Sequence, residues 1–531
     1  MNEIADNFTR VDWVVVFGYM LLTTWIGHMM RGQQATIKDF FLGGKSLPWM
    51  AVSGSIIATE ISALTFIGVP GMVYALQGDW TYLQWGIGSI VARIIVGYYL
   101  VPIYYEREIF SPYDFMGHRL GEGVKKLVTV LFSLGSILGQ SVRVLVTAII
   151  LKTVTGLDMT TCILIIGAFA VGWTLMGGMR TVIWTDVMQF GVFIIGGVIS
   201  FLWLWSAVGW GNVIDINRSV FVEGVAIDKM RVLDFATDPA VSFTFWVAII
   251  AMPFQNVAAF GTDQLNAQRI FCCGSAGDAK KAIVWSSVSQ LITLLMLAVG
   301  SGLFAWYTVN EPTAAESALF LEDASNVFPV WIVSELPTGL KGLIVAGAFA
   351  AAVSSLDSIL AALSQTSLSA FYGQKYMEDH GHDRRMVTKS RGIVFVWAIL
   401  LSGMSIMLSW NYYSDEGDRS LIGLAFRMVS YTYGPVLAIL LLALFSKKVP
   451  WSFQGILLGT ILSVALSAYM QDDIYNLFGA LGFDELATIK ENRPKWSFAW
   501  FYPITTILTF GTACLVGWIL PREDAYDMRN E

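Results

Sequence analysis

Apolar runs of about twenty residues recur along the whole chain, and they constrain its fold more than any other feature. A transmembrane helix needs about 20 consecutive, mostly apolar residues to cross the bilayer core. Runs of this kind lie at 11–30, 47–73, 80–105, 127–151, 157–177, 181–208, 241–261, 283–307, 340–371, 392–410, 420–446, 451–470 and 497–520. The sequence therefore predicts an all-α integral membrane protein with about 13 transmembrane helices.

Composition supports a lipid-embedded chain. Of the 531 residues, 55% are hydrophobic and only 14% are charged, whereas soluble domains carry about 25% charged residues. The net charge of −7 provides no basic excess for nucleic acid. The segments between the apolar runs are too short for a substantial soluble domain, so we predict a single membrane domain over residues 1–531. Its partners are then the lipid bilayer and small molecules.

The distribution of Lys and Arg predicts the orientation. If the N-terminus lies outside, the loops on the inside hold 20 basic residues and those on the outside hold 8. Cytoplasmic loops of membrane proteins carry the excess of positive charge. The expected arrangement is a multi-pass protein of the cell membrane with an external N-terminus and a cytoplasmic C-terminus.

One apolar run, at 340–371, contains an unusually polar stretch that includes Asp357 and Ser358. Within it, Ala351, Ser354 and Ser355 are spaced i, i+3 and i+4, so they share one helix face. Polar groups at membrane depth usually line a cavity or bind an ion. Neutral oxygens from hydroxyls and a helix carbonyl suit a small cation that must bind and then leave. The stretch gives a first indication of a sodium-driven transporter.

Two of the predicted spans are interrupted in a similar way. The second contains Ser53-Gly54 and Gly68-Val69-Pro70-Gly71, and the seventh contains Pro253, Gln255, Asn256 and Gly261. Interrupted helices at corresponding positions of two halves indicate an inverted-repeat transporter. The predicted boundaries are a peripheral helix at 11–30, repeat 1 at 47–209, repeat 2 at 241–446 and peripheral helices at 451–520.

Short motifs in consistent order resemble the sodium:solute symporter family, which includes the sodium/glucose cotransporters. They are DFFLGGKSLPW at 39–49, ISA at 61–63, WTDVMQ at 184–189, TDQ at 262–264, AAVSSLDS at 351–358 and SYTYGP at 430–435. The resemblance covers roughly residues 38 to 450. It implies a LeuT-type fold, a 5+5 inverted repeat with a broken first helix in each repeat. It also implies sodium-driven symport of a small solute by alternating access.

The resemblance also implies ligands for the ion. The main sodium site of the family uses two carbonyls of the broken second span and three groups of the ninth span. The matching positions are Ala58, Ile61, Ala351, Ser354 and Ser355. Unwound backbone offers carbonyls that have no helical partner, so these groups suit the role.

Some family members hold a second sodium ion just inside the first, so the resemblance allows one or two Na+. The matching positions are Asp186, Ser355, Asp357 and Ser358, where Asp357 replaces a serine of the family pattern. Two carboxylates either bind an ion well or repel each other. The structural alternative is that Asp186 caps a helix or pairs with Arg180 near the cytoplasmic end.

The solute is expected near the bilayer midplane between the broken helices. Resemblance and depth together select polar residues at that level, with two aromatic residues as candidate gates. The polar set is Glu60, Ser62, Thr65, Gln84, Arg143, Gln255 and Asn256, and the aromatic residues are Phe260 and Tyr431.

Glu60 and Arg143 are charges in apolar surroundings, and each needs a partner. They form either a structural ion pair or a pair that straddles the solute, with Glu60 accepting hydrogen bonds from hydroxyls. The second interpretation favours a sugar or polyol. If Arg143 alone faces the solute, it could hold a carboxylate bidentately, as in transport of sialic acid or a monocarboxylate. For Arg93 and Arg427, snorkelling to the interface is the default expectation.

Other classes of protein fit less well. A channel would need a continuous polar pore, and no filter-like run is present. The four histidines (His28, His118, His380 and His382) fall at span ends or in loops, and no span pairs a nucleophile with a base, so we do not predict an enzyme. A proton-coupled transporter that uses Asp186 or Asp357 is the nearest alternative.

Overall fold

The protein is described here from a computed structural model. The described residues are 2–30, 43–107, 109, 111–174, 179–222, 224–372, 384–414, 420–480 and 482–520. They form α-helices, with one antiparallel hairpin of strands β1 (Val220–Val222) and β2 (Val225–Ile227). Gly224 adopts a φ of 83° in the hairpin turn, where a residue without a Cβ is favoured.

The α-helices are listed in chain order. They are α1 (Asn2–Ala5), α2 (Arg10–Met30), α3 (Trp49–Glu60), α4 (Val69–Tyr74), α5 (Trp85–Ile95), α6 (Val101–Glu106), α7 (Pro112–Leu120), α8 (Glu122–Thr155), α9 (Met159–Thr174), α10 (Met179–Val208), α11 (Trp210–Arg218), α12 (Met252–Gly261), α13 (Gln264–Ile270), α14 (Ala276–Trp285), α15 (Ser289–Val309), α16 (Ala314–Glu322), α17 (Val327–Glu335), α18 (Leu340–Tyr372), α19 (Arg384–Ser414), α20 (Leu421–Phe445), α21 (Phe453–Met470), α22 (Asp472–Ala480), α23 (Asp484–Ala487) and α24 (Phe501–Ile519). Wider π-helical turns occupy Leu64–Gly68, Val96–Leu100 and Val247–Ala251, and tight 3₁₀ turns occupy Gly43–Lys45, Thr81–Gln84, Ser286–Val288, Ala324–Asn326, Thr488–Asn492 and Phe498–Trp500.

Every predicted apolar run coincides with a helix or a helix pair. Among the described residues, nine helices are long and apolar enough to cross a membrane, and the bent pair Trp49–Glu60 and Leu64–Tyr74 makes ten. Apolar helices of 10–17 residues lie at Met159–Thr174, Val247–Gly261 and Leu340–Phe349. The multi-span helical architecture is confirmed, and the number of spans stays a prediction.

The second span breaks at Ile61–Ala63, where its two halves meet at an angle of 54°. The sequence placed the interruption at the nearby glycines and proline, and that detail is wrong. Gly54 lies inside α3, and Pro70 lies inside the continuous helix Leu64–Tyr74, just after its π-helical turn. Gly71 instead permits close packing, because a Cβ there would lie 2.6 Å from the Cα of Ser325.

The seventh span contains the corresponding break. The chain leaves α12 after Gly261 and begins α13 at Gln264, and Asp263 caps the new helix by accepting a hydrogen bond from Leu265 N at 2.9 Å. Pro253 lies inside the continuous helix Val247–Gly261, just after its π-helical turn, and away from the break. The first long helix of each half is therefore broken, as the sequence predicts.

Helix packing brings the two halves together around the first break. Helices α10 and α13 each contact both α3 and α18. The 34-residue α8 contacts α18, α19 and α20. Peripheral helices α21 and α24 pack against each other and against α20, while α2 packs on α10 and α18. Residues of α3, α10, α13 and α18 thus meet on one side of the break, and residues of α5, α8, α12 and α20 meet beside it.

Candidate solute and sodium sites

The backbone at the first break leaves two carbonyl oxygens without their helical hydrogen bonds. In a continuous helix the Ala58 carbonyl would accept from Ser62 N, but that amide donates to the Glu60 carbonyl at 3.1 Å. Likewise, Thr65 N donates to the Ser62 carbonyl at 3.0 Å rather than to Ile61. Unwound backbone of this kind offers carbonyl ligands to ions in transporters with broken helices. The carbonyls of Ala58 and Ile61 therefore suit a cation.

The other expected sodium ligands lie on α18, which contacts α3. Ser355 is fully buried within the membrane core. Ala351 and Ser354 belong to the same helix, but their side chains lie outside the described part of the structure. The fold thus brings the two ligand-bearing helices into contact, and the complete ligand set remains a proposal.

A fully buried ionic cluster lies on the α13 side of the break; we call Ser55, Asp186, Arg269 and Ser358 the Asp186 cluster. The guanidinium of Arg269 donates to Asp186 Oδ2 at 3.1 Å, to Ser358 Oγ at 2.8 Å and to Ser55 Oγ at 2.9 Å. Ser55 in turn donates to Asp186 Oδ2. Asp357 is 5% exposed and lies within the electrostatic influence of Asp186 and Arg269. Four helices from both halves meet at this cluster.

The structural alternative was that Asp186 caps a helix or pairs with Arg180. The structure pairs Asp186 with Arg269, a residue that the sequence analysis did not single out. Helix α13 lies between α3 and α18, so it carries Arg269 across to α10. Both ends of the pair are 0% exposed, which means that each charge depends on the other for compensation.

A cavity of about 170 Å³ lies beside the first break. Both halves of the fold line it. The predicted solute residues that line it are Glu60, Thr65, Arg143, Gln255, Asn256 and Phe260. Further polar lining residues, which the sequence analysis did not propose as ligands, are Thr59, Ser89, Gln140, Asp263, Asn266, Gln290, Thr293 and Tyr433.

Glu60 faces this cavity and is held from behind by Arg93. Arg93 is 0% exposed, and its Nη2 contacts Glu60 Oε2 and lies 3.2 Å from Ser289 Oγ. Its Nη1 donates to Ser89 Oγ at 2.8 Å, and its guanidinium lies 4.4 Å from the centre of the Phe260 ring. The expected Glu60–Arg143 ion pair and the expected snorkelling of Arg93 are therefore both wrong. Arg93 turns inward because Glu60 supplies the compensating charge.

A second charged residue, Arg143, lines the same cavity as Glu60. Arg143 Nη1 donates to the Thr59 carbonyl at 3.1 Å. Tyr433 donates its hydroxyl hydrogen to Asp263 Oδ2 at 2.8 Å. Arg143 lies within the electrostatic influence of both Asp263 and Tyr433. These contacts join the two helix breaks through α8 and α20.

Three predicted solute residues lie elsewhere. Ser62 is buried in the break itself, where its Oγ accepts from Leu64 N at 3.3 Å. Gln84 accepts from Asp234 N at 3.2 Å and donates to the Phe243 carbonyl at 3.3 Å, so it anchors the segment that follows β2. Tyr431 lines a separate apolar cavity of about 180 Å³. Both tyrosines lie on α20, but Tyr433 lines the solute cavity and Tyr431 points to a different side of the helix.

Arg427 also departs from the expectation of snorkelling. Its Nε lies 3.4 Å from Asp473 Oδ2, and its side chain is 19% exposed. Arg93, Arg269 and Asp473 could have been identified from the sequence, because each is a charged residue inside or beside an apolar run. Asp263 and Tyr433 lay within the recognised motifs, but no separate signal marked them as lining residues.

Aromatic residues separate the solute cavity from a larger outer cavity of about 1060 Å³. We call Trp85, Phe243, Phe426 and Phe498 the aromatic cover. The ring centres of Phe243 and Phe426 lie 4.8 Å and 5.0 Å from that of Trp85. Trp85 and Phe426 line the solute cavity, and Phe243 and Phe498 line the outer cavity. These rings therefore lie between the two cavities.

Two broken helices that enclose a central polar cavity define a LeuT-type secondary transporter. A solved substrate-bound, outward-open structure of a Na+-coupled sialic acid symporter shares the fold, with a TM-score of 0.76 and 22% identity over 98% of this chain and 100% of that chain. The structure of Mhp1, a nucleobase-cation-symport-1 family transporter, superposes with a TM-score of 0.50 at 13% identity, over 90% of this chain and 95% of that chain.

The sequence model of the sodium:solute symporter family matches residues 40–463, and the chain belongs to this family. Among similar proteins, the sodium/sialic acid symporter SiaT of Proteus mirabilis is 27% identical over 90% of this chain and 93% of its own length. The sodium/glucose cotransporter of Vibrio parahaemolyticus is 27% identical over 89% and 87%. Human sodium-coupled monocarboxylate transporter 2 is 25% identical over 88% and 74%. The chain is thus a sodium-coupled solute symporter, and its relatives differ in substrate.

Proposed function

We propose that this symporter takes up a sugar or a polyol by alternating access. The observation that carries the proposal is a set of acceptor oxygens in the solute cavity. The Oε1 atoms of Gln140 and Gln255 are buried and accept no hydrogen bond within the described residues, and both residues line the cavity. Burying an unpaired acceptor is costly, so these atoms favour a solute that supplies donors. Hydroxyl groups supply donors, and a carboxylate supplies none.

The rest of the cavity fits a compact, hydroxyl-rich solute. Asn256 uses its amide nitrogen on the Met252 carbonyl at 2.9 Å, which leaves its oxygen as a further acceptor. Phe260 offers an apolar ring surface, and Thr65 offers a hydroxyl. The volume of about 170 Å³ lies below the 300–1,000 Å³ of typical drug-sized sites. These features support a small sugar or polyol over a bulky acid.

The sodium ion is proposed to bind the carbonyls of Ala58, Ile61 and Ala351 and the hydroxyls of Ser354 and Ser355. The two freed carbonyls at the break and the contact between α3 and α18 support this assignment. An ion there would join helices of different halves. Sodium would then favour the outward-open state and help to form the solute site by a population shift.

A second sodium ion at Asp186, Ser355, Asp357 and Ser358 is the alternative stoichiometry. Arg269 already compensates Asp186 and contacts Ser358, so a second ion would share these ligands with a guanidinium. A single ion moving across about 100 mV with a tenfold gradient supplies about 3.7 kcal/mol, enough to concentrate a neutral solute roughly 500-fold. Two ions would square this ratio, so the reversal potential of transport distinguishes the two cases.

Sialic acid or a monocarboxylate is the second candidate class of substrate. Its support is Arg143, whose guanidinium lines the cavity and uses Nη1 on the Thr59 carbonyl. An arginine with free N–H groups can hold a carboxylate bidentately. The carboxylate of Glu60 opposes that binding, and we therefore rank neutral solutes first.

Uptake into proteoliposomes tests the proposal. We expect galactose, glucose or inositol to accumulate with a sodium gradient and not when choline replaces sodium. Labelling a cysteine introduced at Gly224, which the charge distribution places outside, serves as the control for orientation in the liposomes. Sodium-driven uptake of sialic acid or pyruvate alone would contradict the choice of solute. Uptake driven equally by a proton gradient without sodium would favour proton coupling.

A further inference from the structure

Glu60 is a charged side chain whose only ionic partner among the described residues lies outside the cavity lining. Its side chain is 27% exposed, while that of Arg93 is 0% exposed. Of the two carboxylate oxygens of Glu60, Arg93 contacts Oε2. The other oxygen, Oε1, makes no hydrogen bond within the described part of the chain. A solute therefore meets a carboxylate oxygen at this wall, and Arg93, which is held by Ser89 and Ser289, fixes the direction in which that oxygen points.

The charges around the cavity are balanced. Glu60 and Asp263 are carboxylates, and Arg93 and Arg143 are guanidinium groups; each of the four either lines the cavity or lies directly behind its wall. Charges interact strongly at these short distances in a membrane interior, where the effective dielectric constant is low. A neutral solute preserves the balance. A monoanion would add one uncompensated charge beside the Glu60 carboxylate.

We infer that Glu60, positioned by Arg93, is the residue that makes this cavity select neutral solutes and reject anionic ones. The inference deepens and rests on the proposed uptake of a neutral solute. Glu60 acts in two ways: Oε1 accepts a hydrogen bond from a solute hydroxyl, and its charge repels a solute carboxylate. Unpaired like charges at a binding site are an effective way to suppress a wrong partner.

The test is Glu60→Gln in the full-length protein, assayed in proteoliposomes with galactose and pyruvate as probes. The change leaves Arg93 and Arg143 opposite a single carboxylate. We expect sodium-dependent pyruvate uptake to appear and to exceed the wild-type signal at least tenfold. We also expect the apparent affinity for the neutral sugar to fall about 10- to 100-fold, because a neutral amide oxygen replaces the charged acceptor and holds the hydroxyl more weakly.

Asp79→Asn is the matched control, since it removes a carboxylate from another arginine pair. Asp79 lies 2.8 Å from Arg231 Nη2 and lines the outer cavity. We expect its ratio of sugar to pyruvate uptake to equal that of the wild type. A control that accepts pyruvate as well as Glu60→Gln does would overturn the inference, because the overall charge of the protein would then set selectivity.

If Glu60→Gln alone does not fold, the double variant Glu60→Gln/Arg93→Gln is used to test the inference. It removes both charges of the pair, so no buried guanidinium is left uncompensated. We expect pyruvate uptake to stay above the low wild-type level, because the carboxylate that repels anions is absent, while the affinity for the sugar stays about 10- to 100-fold weaker. Wild-type affinity for the sugar in the double variant would show that Glu60 does not touch the solute.

The results also separate this inference from the proposed function. Suppose that the wild type transports the sugar, that Glu60→Gln still rejects pyruvate, and that sodium still stabilises Glu60→Gln against heat. Only the inference about Glu60 then fails. If the wild type transports pyruvate and not the sugar, the proposed function fails as well.

Discussion

Two buried arginines of the membrane core, Arg93 and Arg269, make the same kinds of contact in different surroundings. Each compensates a carboxylate and donates to two serine hydroxyls. The partner of Arg93 is exposed to a cavity, whereas the partner of Arg269 is 0% exposed. The Glu60 carboxylate can therefore exchange partners with a solute during transport. In the Asp186 cluster every group is enclosed by protein, and the cluster joins helices of the two halves.

This difference predicts the largest effect on stability. Arg269→Gln would leave the Asp186 carboxylate buried without its counter-charge, and we expect it to lower the free energy of unfolding by about 3–5 kcal/mol. Arg93→Gln should cost less, because water in the cavity can solvate Glu60. Thermal denaturation of the purified variants measures both. Equal losses would show that exposure to the cavity does not distinguish the two pairs.

Arg427→Gln is a control for the removal of an arginine. Its pair with Asp473 is longer, at 3.4 Å, and Arg427 is partly exposed. We expect a loss of about 1 kcal/mol or less, as for exposed pairs. A loss as large as that of Arg269→Gln would indicate that burial of the pair is not the deciding factor.

Lys229 extends the comparison to a buried cation outside the membrane spans that is held mainly by carbonyl groups. Its Nζ donates to the carbonyls of Ala75 and Leu76 and lies 4.4 Å from the centre of the Phe304 ring. Burial lowers the pKa of Lys229 from 10.5 to about 8, although the charge of Asp79 opposes this shift. Among the described residues no carboxylate contacts Lys229 directly, so its ammonium group is compensated less completely than either arginine.

The sign of the pH dependence follows from this lowered pKa. Below pH 8 the lysine is charged in both the folded and the unfolded state, and the cost of burying the charge is constant. Between pH 8 and pH 10 the folded protein releases the proton first, so we expect the free energy of unfolding contributed by Lys229 to rise by about 2 kcal/mol.

Variants at two lysines isolate this contribution. Denaturation at several pH values should show the rise in the wild type and its absence in Lys229→Met. Lys495→Met, at an exposed lysine, should keep the wild-type profile. An identical pH profile for the wild type and Lys229→Met would contradict the assignment.

The last prediction concerns the sodium ligands. Ser355→Ala removes one of several proposed ligands, so we expect sodium to bind about tenfold more weakly, equivalent to about 1.4 kcal/mol, while the protein still inserts. Ser364→Ala is the matched control, because Ser364 lies two turns along the same helix and donates to the Ser390 carbonyl at 3.1 Å. Sodium-dependent thermal stabilisation measures both affinities. Wild-type affinity in Ser355→Ala would remove Ser355 from the site.

Hydropathy and motifs were sufficient to predict the helical membrane fold, the broken first helix of each half and the family. The apolar runs determine these features because a bilayer leaves helices as the economical solution for a buried backbone. The details of the breaks were less accessible. Glycines and prolines suggested interruptions at Gly54 and Pro70, yet the chain unwinds at Ile61–Ala63, because glycine also serves close helix packing.

The sequence by itself determined that Glu60 and Asp186 need counter-charges, since an isolated carboxylate is costly in the membrane. Only the tertiary structure decided that Arg93 and Arg269 supply them, in place of the expected Arg143 and Arg180. It also decided that Tyr433, and not Tyr431, faces the solute cavity. The physical reason is that burial sets the demand for a partner locally, whereas the choice of partner depends on which distant helices pack together.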